Sequence, residues 1–357
     1  MDLLATRGDP VSDFSVGRVR GRHLAVPPNR HSAAPSNRHS AAPSNRARAA
    51  DLDAIRLTGI AAVVVGHVWT SGPFTDALFA WHVPVFFILT GYLWKSGRTV
   101  RDEITRRSKT LLVPYVAWLA VLSVAFASVE YLRGGSLPVE ALRNAVYGGA
   151  FAVRPYSAFW FVPVLFFTAV LFRWLERFPP WMAWIIAGLG LAASVFAGEV
   201  MAKTPLGIAL AVPCLVFVLV GRALPAMVHR VRYKTAVGVG LVLAGVALTV
   251  GGVVQPLNMK DGDFGTVALS VVNASAISLG LILVFAALYR MVSPAVNRLT
   301  IQLASAGLVV VLTHAFFLYL LNTPASGSIF DAVVALAVPF ALALLVLRSP
   351  LRRWLVG

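Results

Sequence analysis

From residue 57 onward the chain alternates long apolar stretches with short polar connections. The stretches run over 57–72, 77–94, 111–130, 158–175, 181–198, 205–221, 235–254, 266–289, 303–321 and 329–347. A helix of about 20 apolar residues crosses the hydrocarbon core of a bilayer, so the pattern predicts an all-α, polytopic transmembrane bundle of about ten spans. Pro84, Pro163 and Pro213 fall inside these stretches. Kinks are expected there, because neighbouring helices can satisfy the carbonyls that proline frees. Residues 1–50 break the pattern: they are rich in Arg, Ala, Pro and Ser and carry the near-repeat PNRHSAAP, SNRHSAAP, SNRARAA. Such a segment cannot bury a core, and it is expected to form a disordered basic tail ahead of a membrane domain over 51–357. It has no apolar core of the kind found in a secretory signal.

Composition agrees with the pattern. Of 357 residues, 58% are apolar and 13% charged, where a soluble domain has about 25% charged. The net charge of +16 would raise the question of nucleic acid in a soluble protein, and its placement answers it. With the tail inside, the connections on the same side hold seventeen Lys and Arg. The opposite ones hold five: Arg133, Arg143, Arg154, Lys203 and Lys260. This is the positive-inside signature of a membrane topology with both termini cytoplasmic, and it leaves no basic recognition element for nucleic acid. The lone Cys214 permits neither an internal disulfide nor a cysteine-ligated metal. His23, His31 and His39 recur in the tail with nothing to fix their geometry, so no metal site is expected.

Function must reside in the few ionisable groups within spans: His67, His82 and His314. No carboxylate relay or acidic ring is visible among the spans, as a proton-coupled carrier or cation channel would show. In DLDAIRLTGIAAVVVGHVW, Arg56 and His67 are eleven residues apart, about three helical turns or ~16 Å on one face, and Asp53 shares that face with Arg56. His67 reads either as a buried histidine bonded to a neighbouring helix or as a reactive group. His82 lies near the outer interface, where a supporting part fits best. Thr90 and Gly91 read as close helix packing or as substrate contact. The cluster Arg106, Arg107 and Lys109 serves either the topology signal or the phosphates of a cytosolic cofactor.

Taken in order, R-x10-H from Arg56 to His67, FFILTGYL at 86–93, RRSKTLLVPY at 106–115, AFWFVPVLFF at 158–167 and LASAGLVVVLTHAFF at 303–317 resemble the acyltransferase 3 family of bacterial membrane O-acyltransferases. The resemblance covers about residues 51–353 and is nearest the short form, the sugar O-acetylase branch. It implies transfer of an acyl group, often acetyl from acetyl-CoA, to a hydroxyl of a cell-envelope glycan, glycolipid or related acceptor at the bacterial inner membrane. The family's essential histidine maps onto His67 and its arginine onto Arg56. Its Ser-Gly appears as Thr90-Gly91, and its R-x-x-R as Arg106 to Lys109, where lysine keeps the charge but loses the bidentate fork. His67 is then the general base, with Arg56, Arg106, Arg107 and Lys109 holding the donor. Asp53, His82, Thr90, Gly91, Trp160 and His314 support the site or contact substrate. The rival reading from another class is a lipid or glycolipid transporter, against which stands the lack of any evident inverted repeat; a non-catalytic scaffold fits all but the ordered motifs.

Overall fold

The computed structural model describes residues 43–356, with the side chains of 43–49 left aside. The expectation of a disordered tail therefore lies, through residue 42, outside the described residues. From Pro43 the chain is helical, inside the stretch read as tail. Proline suits a first helical turn, and the ensuing Ala and Arg residues have high helix propensity.

Fifteen α-helices account for most of the described residues: α1 (Pro43–Val68), α2 (Pro73–Phe79), α3 (Pro84–Tyr92), α4 (Val100–Arg107), α5 (Val113–Leu132), α6 (Val139–Tyr147), α7 (Phe161–Leu175), α8 (Pro180–Ala202), α9 (Ala211–Arg230), α10 (Lys234–Val250), α11 (Val267–Leu288), α12 (Pro294–Ser305), α13 (Gly307–Leu320), α14 (Ile329–Leu347) and α15 (Arg352–Leu355). A π-helical turn at Ser108–Leu112 joins α4 to α5. Among the described residues no strand ladder forms, and one isolated bridge joins Asn258 to Asp263.

Helix occupies most of each of the ten apolar stretches. Six segments are long and apolar enough to cross a membrane by length and composition, and α12 with α13, bent by 61°, adds a seventh if the pair is one broken span. Helices α7 and α10, at 15 and 17 residues, are shorter, and α1 carries Asp51, Asp53 and Arg56. Four helices lie in stretches expected to be polar connections: α4, α15, α6 and most of α12. α6 is a short amphipathic helix in a connection, and α12 occupies a stretch assigned to a polar linker, capped by the Ser293 hydroxyl, which accepts from the Val296 amide.

Helix α1 runs through the middle of the bundle, packed on α2, α3, α11, α12, α13 and α14. A second group of contacts joins α9 to α3, α7 and α8. The α3 and α9 backbones approach so closely that a Cβ on Gly91 would lie 2.0 Å from the Val218 carbonyl oxygen, and one on Gly221 would lie 2.0 Å from that of Ile88. Small residues at such a crossing let dispersion contacts hold helices together where lipid removes the hydrophobic drive.

Candidate active site

All three intraspan histidines make the same local bond. Nδ1 of His67 lies 2.8 Å from the Val63 carbonyl oxygen, that of His82 lies 2.8 Å from Leu78, and that of His314 lies 3.0 Å from Val310. A carbonyl only accepts, so each Nδ1 carries the proton and, in the neutral ring, each Nε2 carries the lone pair. Helix geometry thus selects the tautomer a base requires, since i and i−4 stand one above the other. His67, on α1, and His314, on α13, meet edge to face with ring centroids 5.0 Å apart. His314 is fully buried, and its Nε2 has no hydrogen-bond partner. His82, in the break between α2 and α3, stacks obliquely on Phe79.

His67 and His82 open onto a cavity of about 300 Å³ walled by Phe79, Phe86, Trp160, Phe161 and Val311. Its other polar lining comes from Thr70, Arg154, Ser157, Asn258 and Lys260. Arg154 is an anchored cation: Nη2 donates to the His67 carbonyl oxygen at 2.9 Å, and Nη1 donates to that of Thr323 at 3.0 Å. It satisfies a carbonyl that the end of α1 leaves free and ties that end to the connection after α13. Burial holds the Arg154 guanidinium below the ordinary arginine value, with Asp331 opposing. Burial likewise pushes the Lys260 amine down, and Asp261 offsets part of the effect. The Ser157 hydroxyl is buried without a partner.

Arg154, Ser157, Asn258 and Lys260 were missed in the sequence because they lie on connections distant from one another. One signal was present: Arg154 and Lys260 belong to the five cations on the side where the charge bias is against them. The fold gathers Trp160, His82 and His314, all expected from the sequence to support the site, around His67.

The other end of α1 is built differently. Arg56 Nη1 donates to Asp53 Oδ1 at 2.6 Å, and both line a second cavity of about 680 Å³ with His229, Lys234 and Arg290. The basic cluster after α3 does not join them. Arg107 donates through Nε to Glu103 at 2.5 Å. Glu103 is buried and also receives Arg173 at 3.1 Å, with Arg98 3.8 Å away. The guanidinium carbons of Arg173 and Arg107 lie 4.2 and 5.6 Å from the centroid of the Trp94 ring. Arg106 and Lys109 are exposed, and neither lines the Arg56 cavity. Gly91 serves the α3–α9 contact, and Thr90 is half-buried beside it. Among the described residues, no group of three or more His, Cys, Asp or Glu side chains is placed to hold a metal ion.

Comparison with known proteins bears on this arrangement. The sequence model of a family described as an acyltransferase domain matches residues 49–348. A curated relative, nodulation protein NolL of Mesorhizobium japonicum, is 25% identical in an alignment of 163 residues covering 41% of this chain and 41% of the relative. The chain thus aligns with under half the length of that relative. No solved structure matches. On the family match, which takes in all but the first turns of α1 and every helix from α2 to α14, the chain belongs to the acyltransferase 3 family.

Proposed function

We propose that this member of an acyltransferase family is a multi-pass enzyme of the bacterial plasma membrane. It moves an acyl group, acetyl in the simplest case, from acyl-CoA to a hydroxyl of an envelope glycan or glycolipid. The observation that carries this reading is His67: a ring whose Nδ1 proton is committed to Val63, facing a cavity with Arg154 and Lys260 at its wall. An acceptor hydroxyl entering that cavity gives its proton to Nε2 as its oxygen attacks the thioester carbonyl. The tetrahedral intermediate then collapses, and the departing CoA sulfur takes the proton back from the imidazolium. Base catalysis of this kind is worth roughly 10²- to 10⁴-fold.

The donor enters from the opposite, cytoplasmic end. Arg56 is the first contact for CoA phosphates, in a cavity that also offers Lys234 and Arg290, and Arg106, Arg107 and Lys109 add positive charge at the same membrane face. The distance along α1 from Arg56 to His67, ~16 Å at 1.5 Å per residue, is one that an extended pantetheine arm spans. The arrangement supports ten spans with both termini inside, the donor and acceptor approaching from opposite faces.

The test is incubation of the full chain, in proteoliposomes containing bacterial envelope lipids, with labelled acetyl-CoA. Release of free CoA together with label in the lipid or glycan fraction is the expected result. Equal transfer by a stably inserted His67→Ala variant would remove the base assignment, and no CoA release under any acceptor condition would favour the transporter reading.

A further inference from the structure

The cavity beside His67 holds two cations, of which one would suffice for the oxyanion formed in acyl transfer to a neutral sugar. Arg154 and Lys260 both line it, and no Asp or Glu does. Arg154 is bound to two carbonyls and acts as a fixed charge. Lys260 is half-buried and, among the described residues, makes no hydrogen bond or ion pair. Asp261 acts on it only through space, and neither Asp261, which accepts from Asn258 Nδ2 at 2.7 Å, nor Asp263, which accepts from the Gly265 amide at 2.8 Å, bonds to it. A cation withdrawn from water without a partner is costly, which is why buried charges are found paired or bound to a ligand.

The turn that carries Lys260 is also held firmly. It is a 3₁₀ turn, Met259–Asp261, closed by Gly262 at φ 80°. Gly262 packs backbone to backbone on Gly198 of α8, where a Cβ on Gly262 would sit 2.0 Å from the Gly198 carbonyl oxygen. Ser270 fastens the same connection by donating to the Gln255 carbonyl oxygen at 2.7 Å. A lysine on so constrained a turn presents its ammonium at a defined place, and the unpartnered Ser157 hydroxyl in the same cavity offers a neutral hydrogen bond beside it.

We propose that Lys260, backed by Arg154 and Ser157, forms an anion subsite, so that the acceptor is a sugar bearing a phosphate or carboxylate close to the hydroxyl that is acylated. This rests on the acyl-transfer reading for its meaning, while the binding itself is separable from it. Lysine recognises the anion as a point charge, so either group fits, and the anion fixes which hydroxyl meets His67.

The experiment uses the full chain in lipid nanodiscs. Diethyl pyrocarbonate modification of His67, followed by peptide mass spectrometry, is measured against increasing glucose, glucose 6-phosphate, glucuronate and inorganic phosphate. The expected result is protection by the anionic sugars at concentrations about 10-fold or more below glucose, as a charge-assisted hydrogen bond would give. Lys260→Met should erase that preference and Lys260→Arg should retain it. The order of glucose 6-phosphate and glucuronate names the anion. Equal protection by glucose in the unaltered chain, or a preference that survives Lys260→Met, overturns the proposal, as does protection by inorganic phosphate as strong as that by the sugar phosphate. A Lys260→Met chain that fails to insert is replaced by Lys260→Gln, read the same way. Anion preference without any transfer from labelled acetyl-CoA sinks the acyltransferase reading and leaves the subsite standing; transfer without the preference does the reverse.

Discussion

A histidine in an apolar span can satisfy a ring nitrogen locally at the carbonyl four residues back, and His67, His82 and His314 all do so. His67 and His82 line the cavity and His314 does not, and of the two that do, His67 alone meets the His314 ring and has its carbonyl held by Arg154. His67 faces the cavity, and His67→Ala is expected to lower turnover by 10²-fold or more with normal membrane levels, checked by CoA release per inserted protein. His314 touches the His67 ring but lies outside the cavity wall, so His314→Gln should reduce kcat more mildly and leave the KM for acyl-CoA unchanged. His67 and its alignment with Arg56 were readable from spacing alone, because a helix repeat converts eleven residues into three turns. Arg154 was not readable as a site residue, since its role is to bridge the His67 and Thr323 carbonyls and both partners are remote in sequence. Lysine cannot reproduce that planar two-carbonyl fork. Arg154→Lys should therefore lower both the thermal midpoint and kcat, whereas a purely electrostatic role would let lysine rescue kcat.

At the scale of elements, periodicity located the apolar stretches well and the polar connections poorly. The α12 and α6 helices escaped because amphipathic segments within linkers look like charged loops when only apolar runs are sought. The basic cluster shows the same limit. Arg106, Arg107 and Lys109 are adjacent in sequence, yet α4 and the π-helical turn after it give them different surroundings. Arg107 faces buried Glu103, and the other two face out. Glu103→Ala would strip Arg107 of its carboxylate and take from buried Arg173 its one buried carboxylate, leaving it only the more exposed Glu176. Removing one partner of a buried pair costs about 3–5 kcal/mol, so this variant should lose several degrees of thermal midpoint in detergent, while Glu199→Ala, an exposed partner of Lys203 on α8, should lose almost none. Gly91→Ala drives a methyl into the α9 backbone and should destabilise by about 1–3 kcal/mol or more. Such a loss of stability, with residual activity per folded molecule intact, would assign the Thr90-Gly91 pair to packing rather than to substrate.

At the scale of the whole molecule, the question is whether α7 and α10 cross the membrane, because on that depends which face His67 opens toward. At 15 and 17 residues they span only ~22 and ~25 Å, against a hydrocarbon thickness of about 30 Å. For α7 the shortfall is covered by protein. The turns over 156–160 that precede it are buried throughout, and irregular backbone is tolerated at membrane depth where protein rather than lipid surrounds it. For α10 the packing of Gly238 against Gly280 of α11 holds a short helix alongside a full-length one. Both helices are therefore expected to cross, which places the Arg56 cavity and the His67 cavity on opposite faces. Leu137, Arg177, Arg232 and Val253 are exposed positions flanking them, and the native Cys214 is buried. Single cysteines at Leu137 and Val253 should react with an impermeant maleimide in intact cells, and those at Arg177 and Arg232 only after permeabilisation. Labelling of Leu137→Cys and Arg177→Cys from the same face would mean that α7 does not cross, and same-face labelling of Arg232→Cys and Val253→Cys would say so of α10. Either result would break the alternation that carries donor and acceptor to opposite ends of α1.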